Sequence, residues 1–136
     1  MIFEIIVRDA KTQARTGLLQ TKSGVIETPF FMPVATKMAG KHISSDDLES
    51  MQAHTIISNA FLLSLRPGVD VVRKAGGIAQ FMGHSGNVFT DSGGFQMYSP
   101  ALYVRSEERG VTFRNPYSGE HIFITPEEDM EIQIGL

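Results

Sequence analysis

The chain has 136 residues, 42% of them hydrophobic, a formal net charge of -3 and no cysteine. That is enough for one domain with one core, and it rules out a disulfide framework or a cysteine-ligated metal within the chain. The charge does not mark a strongly basic nucleic-acid binder, although a local basic patch can hold phosphates on an acidic protein.

Residues 2–8, IFEIIVR, are rich in Ile, Val and Phe and predict a strand. ARTGLLQTKSGVIETP reads as a hairpin with Ser23-Gly24 at its turn. FFMPVAT predicts a buried strand ending near Thr36, with Pro33 inside it favouring an edge or bulge. SSDDLESMQ starts a helix, with Ser44 or Ser45 as cap and acids in the first turn. HTIISNAF is the next apolar, β-branched run. RPGVDVVRKAGGIAQFMG predicts a helix starting near Pro67 and broken or ended by Gly76-Gly77. NVFTDS is a further short strand. GVTFRNPYSGEHIFIT alternates on both sides of NPYSG and predicts a second hairpin. In TPEEDMEIQIGL, Thr125 is the expected N-cap and Pro126 the first helical residue, followed by acids.

Strands therefore alternate with helices between two hairpin additions, the pattern of βαβ units and a parallel sheet. In a β/α barrel or open sheet, functional residues gather at the carboxyl ends of the strands. Thr36, Asn59 and Asp91 fall at or near three such ends. A complete eight-unit barrel takes about 250 residues, so the expectation is an incomplete barrel: a fragment, a chain completed by a partner, or a small open sheet. No apolar run has the length of a membrane span. The start, MIFEIIVRDAKTQ, lacks the basic and long apolar regions of a signal peptide. A cytoplasmic protein without membrane partners is expected.

The segment with most chemistry is VFTDSGGFQMYSP, residues 88–100. Three readings of its Asp-Ser-Gly-Gly stand side by side. One is a turn, in which Asp and Ser bond local amides and Gly supplies positive φ. Another is a phosphate cradle, although neither GxGxxG nor GxxxxGK[ST] is present. The last is a site for a flat ligand: Gly backbone lets a ring approach, Phe95 or Tyr98 stacks on it, Gln96 bonds its edge, and Asp91 moves a proton on a ring nitrogen.

TDSGGFQMYS resembles the signature of the tRNA-guanine transglycosylases. ETPFFMPVAT, IISNAFLLSLRPG and GVTFRNPYSGEHIFITPEEDMEIQ agree in the same order, so the resemblance covers nearly the whole chain. It implies the N-terminal part, over residues 1–136, of a (β/α)8 barrel with added antiparallel hairpins. The implied enzyme exchanges a guanine in tRNA for a 7-deazaguanine base, in queuosine or archaeosine modification. One carboxylate attacks the ribose C1′ to form a covalent intermediate, and another handles protons on the leaving and entering bases. The target base must leave its stack to be reached.

On this resemblance Asp91 is the general acid/base and touches the base. Ser92, Gly93, Gly94, Phe95 and Gln96 form the base-binding loop, and Asn59 lies on the ribose side. The family's nucleophilic aspartate, a second base-reading aspartate and the zinc site have no counterpart here, so no cofactor is expected in this chain and it is expected to be inactive alone. Expected partners are tRNA, guanine or a 7-deazaguanine, and a completing chain or further copy. The alternative is a non-catalytic chain that binds a partner subunit or tRNA. Many queuosine-type relatives read NTFHL or NTYHL where this chain has NAFLL, so Ala60 and Leu62 replace a threonine and a histidine. PVAT stands for the family's PVGT. The FFMPV and LRPG blocks lean toward the queuosine type.

Other residues take plainer readings. Asn59 also suits a simple cap on the following turn. His42, His54, His84 and His121 lack metal-ligand spacing and read as surface or structural. The methionines read as core packing. Arg105, Arg109 and Arg114 suit either a solvated face or tRNA phosphates, and the role of Arg66 is open. The acids of TPEEDMEIQ read as complements to the helix dipole.

Overall fold

The structure is a computed structural model that describes residues 2–36 and 40–136. Its strands form three sheets, none of them closed. In chain order the first sheet is antiparallel: β1 (Ile2–Arg8), β2 (Arg15–Thr21) and β3 (Gly24–Thr28), with β2 in the middle. The β2–β3 register runs from Gly17 opposite Thr28 to Thr21 opposite Gly24, so the turn residues are Lys22 and Ser23, one position before the expected Ser23-Gly24, and Gly24 opens β3.

The FFMPVAT strand is a correction. In place of a full strand it makes one parallel bridge, Val34 to Ile57. Pro33 has no N–H to give. It contributes its carbonyl instead, accepting from Ile57 at 3.1 Å, and Ala35 donates to the Ile57 carbonyl at 2.8 Å. The segment thus flanks β4 (Thr55–Asn59), which on its other side pairs in parallel with β5 (Asn87–Asp91).

Helices connect these pieces. α1 (Ser45–Ser50) is capped by Ser44, in a box where Ser44 Oγ accepts from the Asp47 amide and Asp47 accepts from the Ser44 amide. Leu48 of α1 packs with Ala35 and Ile56, one of three small clusters that make the core. α2 (Ala60–Leu65) follows β4 directly, so Ala60 and Phe61, expected within an apolar strand run, are helical. The helix expected after Pro67 is two helices, α3 (Val69–Lys74) and α4 (Ile78–Met82). The break falls at Gly76 and Gly77, with φ of 93° and 100°. The Gly77 amide turns back to the Val72 carbonyl at 3.0 Å, closing the helix end.

The last sheet has a strand beyond the expected hairpin: β6 (Tyr103–Glu107) pairs with β7 (Gly110–Arg114), and β7 with β8 (His121–Ile124). β6 was hidden in the sequence by its charged Arg105 and Glu107. α5 (Gly94–Met97) lies before this sheet and α6 (Pro126–Gly135) after it. Thr125 caps α6 with Pro126 in its first turn, as expected, and Glu128 completes a capping box. Phe61, Met97, Phe113 and Ile124 form the core that ties α2, α5, β7 and β8 together. The Phe61 and Phe113 rings meet edge to face at 4.3 Å between centroids.

Candidate active site

β4 and β5 end level with each other. Their register runs from Thr55 opposite Asn87 to Asn59 opposite Asp91, so the two polar residues are the last pair of a parallel ladder. Equivalent positions on neighbouring parallel strands project to the same face. The third expected strand end joins them through backbone: the Asn59 amide donates to the Thr36 carbonyl at 3.4 Å. The side chain of Ser58, one residue earlier, donates to the Ala35 carbonyl at 2.8 Å.

Asn59 is almost fully buried, and its two amide atoms do different things. Oδ1 accepts from the Leu62 amide at 2.8 Å and caps α2. The capping reading is therefore realised. Nδ2 is buried without a hydrogen-bond partner, which leaves a donor unspent.

Beyond Asp91 the chain turns sharply. Asp91 Oδ1 accepts from the Gly93 amide at 3.0 Å, and Ser92 Oγ accepts from the Gly94 amide at 3.2 Å. The local turn expected of Asp-Ser-Gly-Gly is present. Gly93 is buried with φ of 70°. A Cβ there would lie 2.6 Å from Phe61 Cβ and 2.8 Å from Asn59 Oδ1. Only glycine lets the backbone pass this close to Asn59 while holding that conformation. The neighbouring glycine opens α5, so Gly94, Phe95 and Gln96 of the expected base-binding loop form a helical turn rather than irregular chain. Met97 anchors the far end of that turn in the core.

Between the two anchors, Ser92, Phe95 and Gln96 are left exposed. Phe95 is 91% exposed, the most of any large apolar side chain among the described residues. Tyr98, the other aromatic considered for stacking, lies against Tyr103 with ring centroids 5.4 Å apart. One face of Tyr98 is thus covered while the residue stays 57% exposed, and Phe95 is the freer of the two rings. The structure thus brings Asn59, Asp91 and Gly93 together and holds Phe95 and Gln96 at the surface beside them. An open cleft of about 760 Å³ lies elsewhere, lined by residues such as Leu65, Val69, Phe113 and Ile132, and does not include this loop.

A model of the queuine tRNA-ribosyltransferase family matches residues 9–136. The chain belongs to this family. It is 50% identical to the queuine tRNA-ribosyltransferase of Dictyoglomus turgidum over 136 residues, which are 100% of this chain and 35% of the relative. The enzyme of the same name from Oceanobacillus iheyensis is 47% identical over 134 residues, 98% of this chain and 35% of the relative. That of Syntrophobacter fumaroxidans is 46% identical over 136 residues, 100% of this chain and 36% of the relative. The chain therefore spans about a third of the length of the curated relatives it matches.

The family's zinc does not fit the residues present. The chain has no cysteine, and the described residues contain no group of three or more His, Asp or Glu side chains able to hold a metal. No helix among them is long and apolar enough to cross a membrane.

One residue near the site was missed. Asp129, the fourth residue of α6, read as one of three consecutive helix-start acids. Glu127 is exposed and Glu128 belongs to the capping box, but Asp129 is half-buried. Burial pushes its carboxyl above the ordinary range, the Gln133 hydrogen bond pulls it down, and the charge of Asp91 pushes it up. Helix phase would have hinted that one of the three faces inward; the sequence does not say that Gln133 of the same helix reaches Thr90 of β5.

Proposed function

We propose that this chain is the N-terminal part, residues 1–136, of a tRNA-guanine transglycosylase barrel of the queuosine type. Its reaction exchanges guanine in tRNA for a 7-deazaguanine base in the cytoplasm. Asp91 is the acid/base, Ser92 to Gln96 form the base loop, and Asn59 stands on the ribose side. The observation that carries this reading is the level pairing of Asn59 with Asp91 at the ends of β4 and β5, in front of a turn pinned at Gly93 and Met97 that leaves Phe95 out in solvent.

The chemistry follows from that arrangement. A carboxylate outside this chain attacks the ribose C1′; a C–O bond forms as the bond from C1′ to the guanine nitrogen breaks. The leaving base needs a proton, and Asp91 supplies it. The entering base then returns a proton to Asp91 as its nitrogen displaces the carboxylate from C1′, so atoms and protons balance over the cycle. A bound base gains stacking area on Phe95, whose exposed ring otherwise stays in water. The Asn59 Nδ2 donor, unpaired in the fold, suits an oxygen of the reacting nucleotide. Exchange needs the nucleophile, which residues 1–136 do not supply, so this part by itself is inactive, and further barrel strands, in the same polypeptide or in another chain, complete the site.

Equilibrium binding of guanine and 7-deazaguanine to the chain, beside Asp91→Asn, tests this. Binding that is lost in Asp91→Asn supports the base pocket. Binding unchanged by the substitution takes Asp91 out of the site. No binding by either, together with no binding of tRNA, favours a non-catalytic chain.

A further inference from the structure

Two aromatic rings, not one, stand out around α5. Tyr98 closes the turn that Phe95 begins: its amide donates to the Phe95 carbonyl at 3.3 Å. Side chains three apart on such a turn are neighbours, with about 5–6 Å between their Cβ atoms. Tyr98 lies nearly parallel to Tyr103 of β6, at an interplanar angle of 22° with ring centroids 5.4 Å apart. A single serine meets both hydroxyls. Tyr103 Oη donates to Ser106 Oγ at 3.2 Å, and Ser106 Oγ donates to Tyr98 Oη at 3.4 Å. Tyr103 covers one face of Tyr98, yet 57% of the residue is exposed.

Tyr98 and Tyr103 therefore make a two-ring stack with one open end. Its orientation is fixed before anything binds, which lowers the ordering cost for a third flat group. A single base held by Asp91 and Phe95 does not need it. Exchange on an RNA strand, however, supplies a second flat group. A guanine drawn out of its stack to reach Asp91 leaves the next base of the strand with a bare face. Aromatic side chains take up such faces in single-stranded RNA, whatever the base.

We propose that the open face of Tyr98 is a subsite for the base next to the target guanine in the RNA strand. The inference rests on the base-exchange reading of Asp91 and Phe95. Phe95 takes the exchanged base, and Tyr98, one turn further on, takes its neighbour. Free guanine and the entering 7-deazaguanine have no neighbour, so they gain nothing from Tyr98 and come and go. The RNA gains a second stack and stays seated while the base beside it changes. Every base has a π-face, so the subsite senses that a neighbour is present rather than which base it is.

The test is equilibrium binding of three probes: guanine, the trinucleotide ApGpA, and the same trinucleotide backbone with guanine between two abasic riboses. The flanking adenines are expected to tighten binding to the parent chain by about 5- to 150-fold over the abasic probe, the worth of one stacked base. Tyr98→Ala is expected to lose this gain and to keep its affinity for guanine, whereas Tyr98→Phe, which keeps the ring, retains the gain. No gain in the parent chain, or a gain that survives in Tyr98→Ala, overturns the proposal. If Tyr98→Ala fails to fold, the ring protons of Tyr98 are read by NMR in the parent chain. ApGpA is expected to shift them upfield and the abasic probe is not; equal shifts overturn the proposal. Ring shifts that follow protein concentration and ignore the RNA give the face to a second copy, and also overturn it. Guanine binding with no gain from the neighbours sinks this inference alone. No binding of guanine or of either trinucleotide sinks the exchange reading, and this inference with it.

Discussion

β1 and β4 are both short strands dominated by β-branched and aromatic residues: IFEIIVR and TIISN. In β4 four of five residues are buried, and Ile56 is sealed. In β1 almost every residue is exposed, with Ile6 at 55%. Composition is not what separates them. β4 has a parallel neighbour on one side, a bridging segment on the other, and Leu48 of α1 packed on Ile56. β1 is the edge of an antiparallel sheet and pairs only with β2. The crossover helices required by parallel pairing bring the cover with them, and a hairpin brings none. The candidate site stands on the covered strand, where the ends of β4 and β5 are held by packing on both sides.

The sharpest way to break this contrast is to cut the same side chain in both places. Ile56→Ala opens a cavity between Leu48, Ala35 and Val88, and about 2–5 kcal/mol of stability is expected to be lost. Urea denaturation of the purified chain measures it. A loss below about 1 kcal/mol, the level of an ordinary exposed-to-intermediate substitution, would mean that β4 is not the strand that organises the fold.

Gly93→Ala tests whether the site inherits the rigidity of β4. The new methyl must displace Phe61 or Asn59 and hold a positive φ. Strain of this kind costs about 1–3 kcal/mol. The expected outcome is a smaller loss of stability than for Ile56→Ala, but weakened binding of 7-deazaguanine, because the Asp91 turn and the Asn59 amide move together. Full base binding in a stable Gly93→Ala chain would detach the turn from Asn59.

Ser44→Ala removes the cap of the helix that covers β4, at a typical cost of about 1 kcal/mol. Asp47, its partner in the box, is held below its ordinary carboxyl value of 3.8 by the Ser44 side chain and then by the Ser44 amide. A carboxyl lowered in the fold stabilises above its unfolded value, and the contribution is lost as pH falls through the folded one. Asp47→Asn is therefore expected to destabilise at neutral pH, and the gap from the parent chain is expected to close in acid below 3.8. A gap independent of pH would assign the effect to helix geometry rather than to the carboxylate.

Much of this was legible in the chain. Asn59 and Asp91 could be placed together because each ends an apolar run followed by helix signals, and parallel units put such ends on one side. Thr125 and Ser44 could be read as caps because their hydrogen bonds are local. Non-local facts were out of reach. Pro33 sits in a run that looks like a strand, and only the position of Ile57 decides that it makes a bridge. Asp129 stands among three acids, and which one turns inward depends on how α6 packs against α2 and α3. Tyr98 and Phe95 are equivalent as stacking candidates until Tyr103 of β6, itself unforeseen, covers one face of the first.

The smallest effect is expected at Ile6→Ala, and it bears most directly on the opening contrast. Ile6 carries as much apolar surface as Ile56, but over half of it is already in water, so truncation removes little buried area. It also lies where the β1–β2 register shifts, between Ile5 and Val7, so it has no cross-strand partner to lose. A change within about 0.5 kcal/mol is expected, measured by the same urea titration as Ile56→Ala. If Ile6→Ala instead costs as much as Ile56→Ala, then β1 is covered in the folded chain in solution. A second copy is then the first cover to look for, through the dependence of the loss on protein concentration. The pair of isoleucines thus separates two accounts of burial: one in which the helices of the parallel units supply it, and one in which association supplies it to both strands alike.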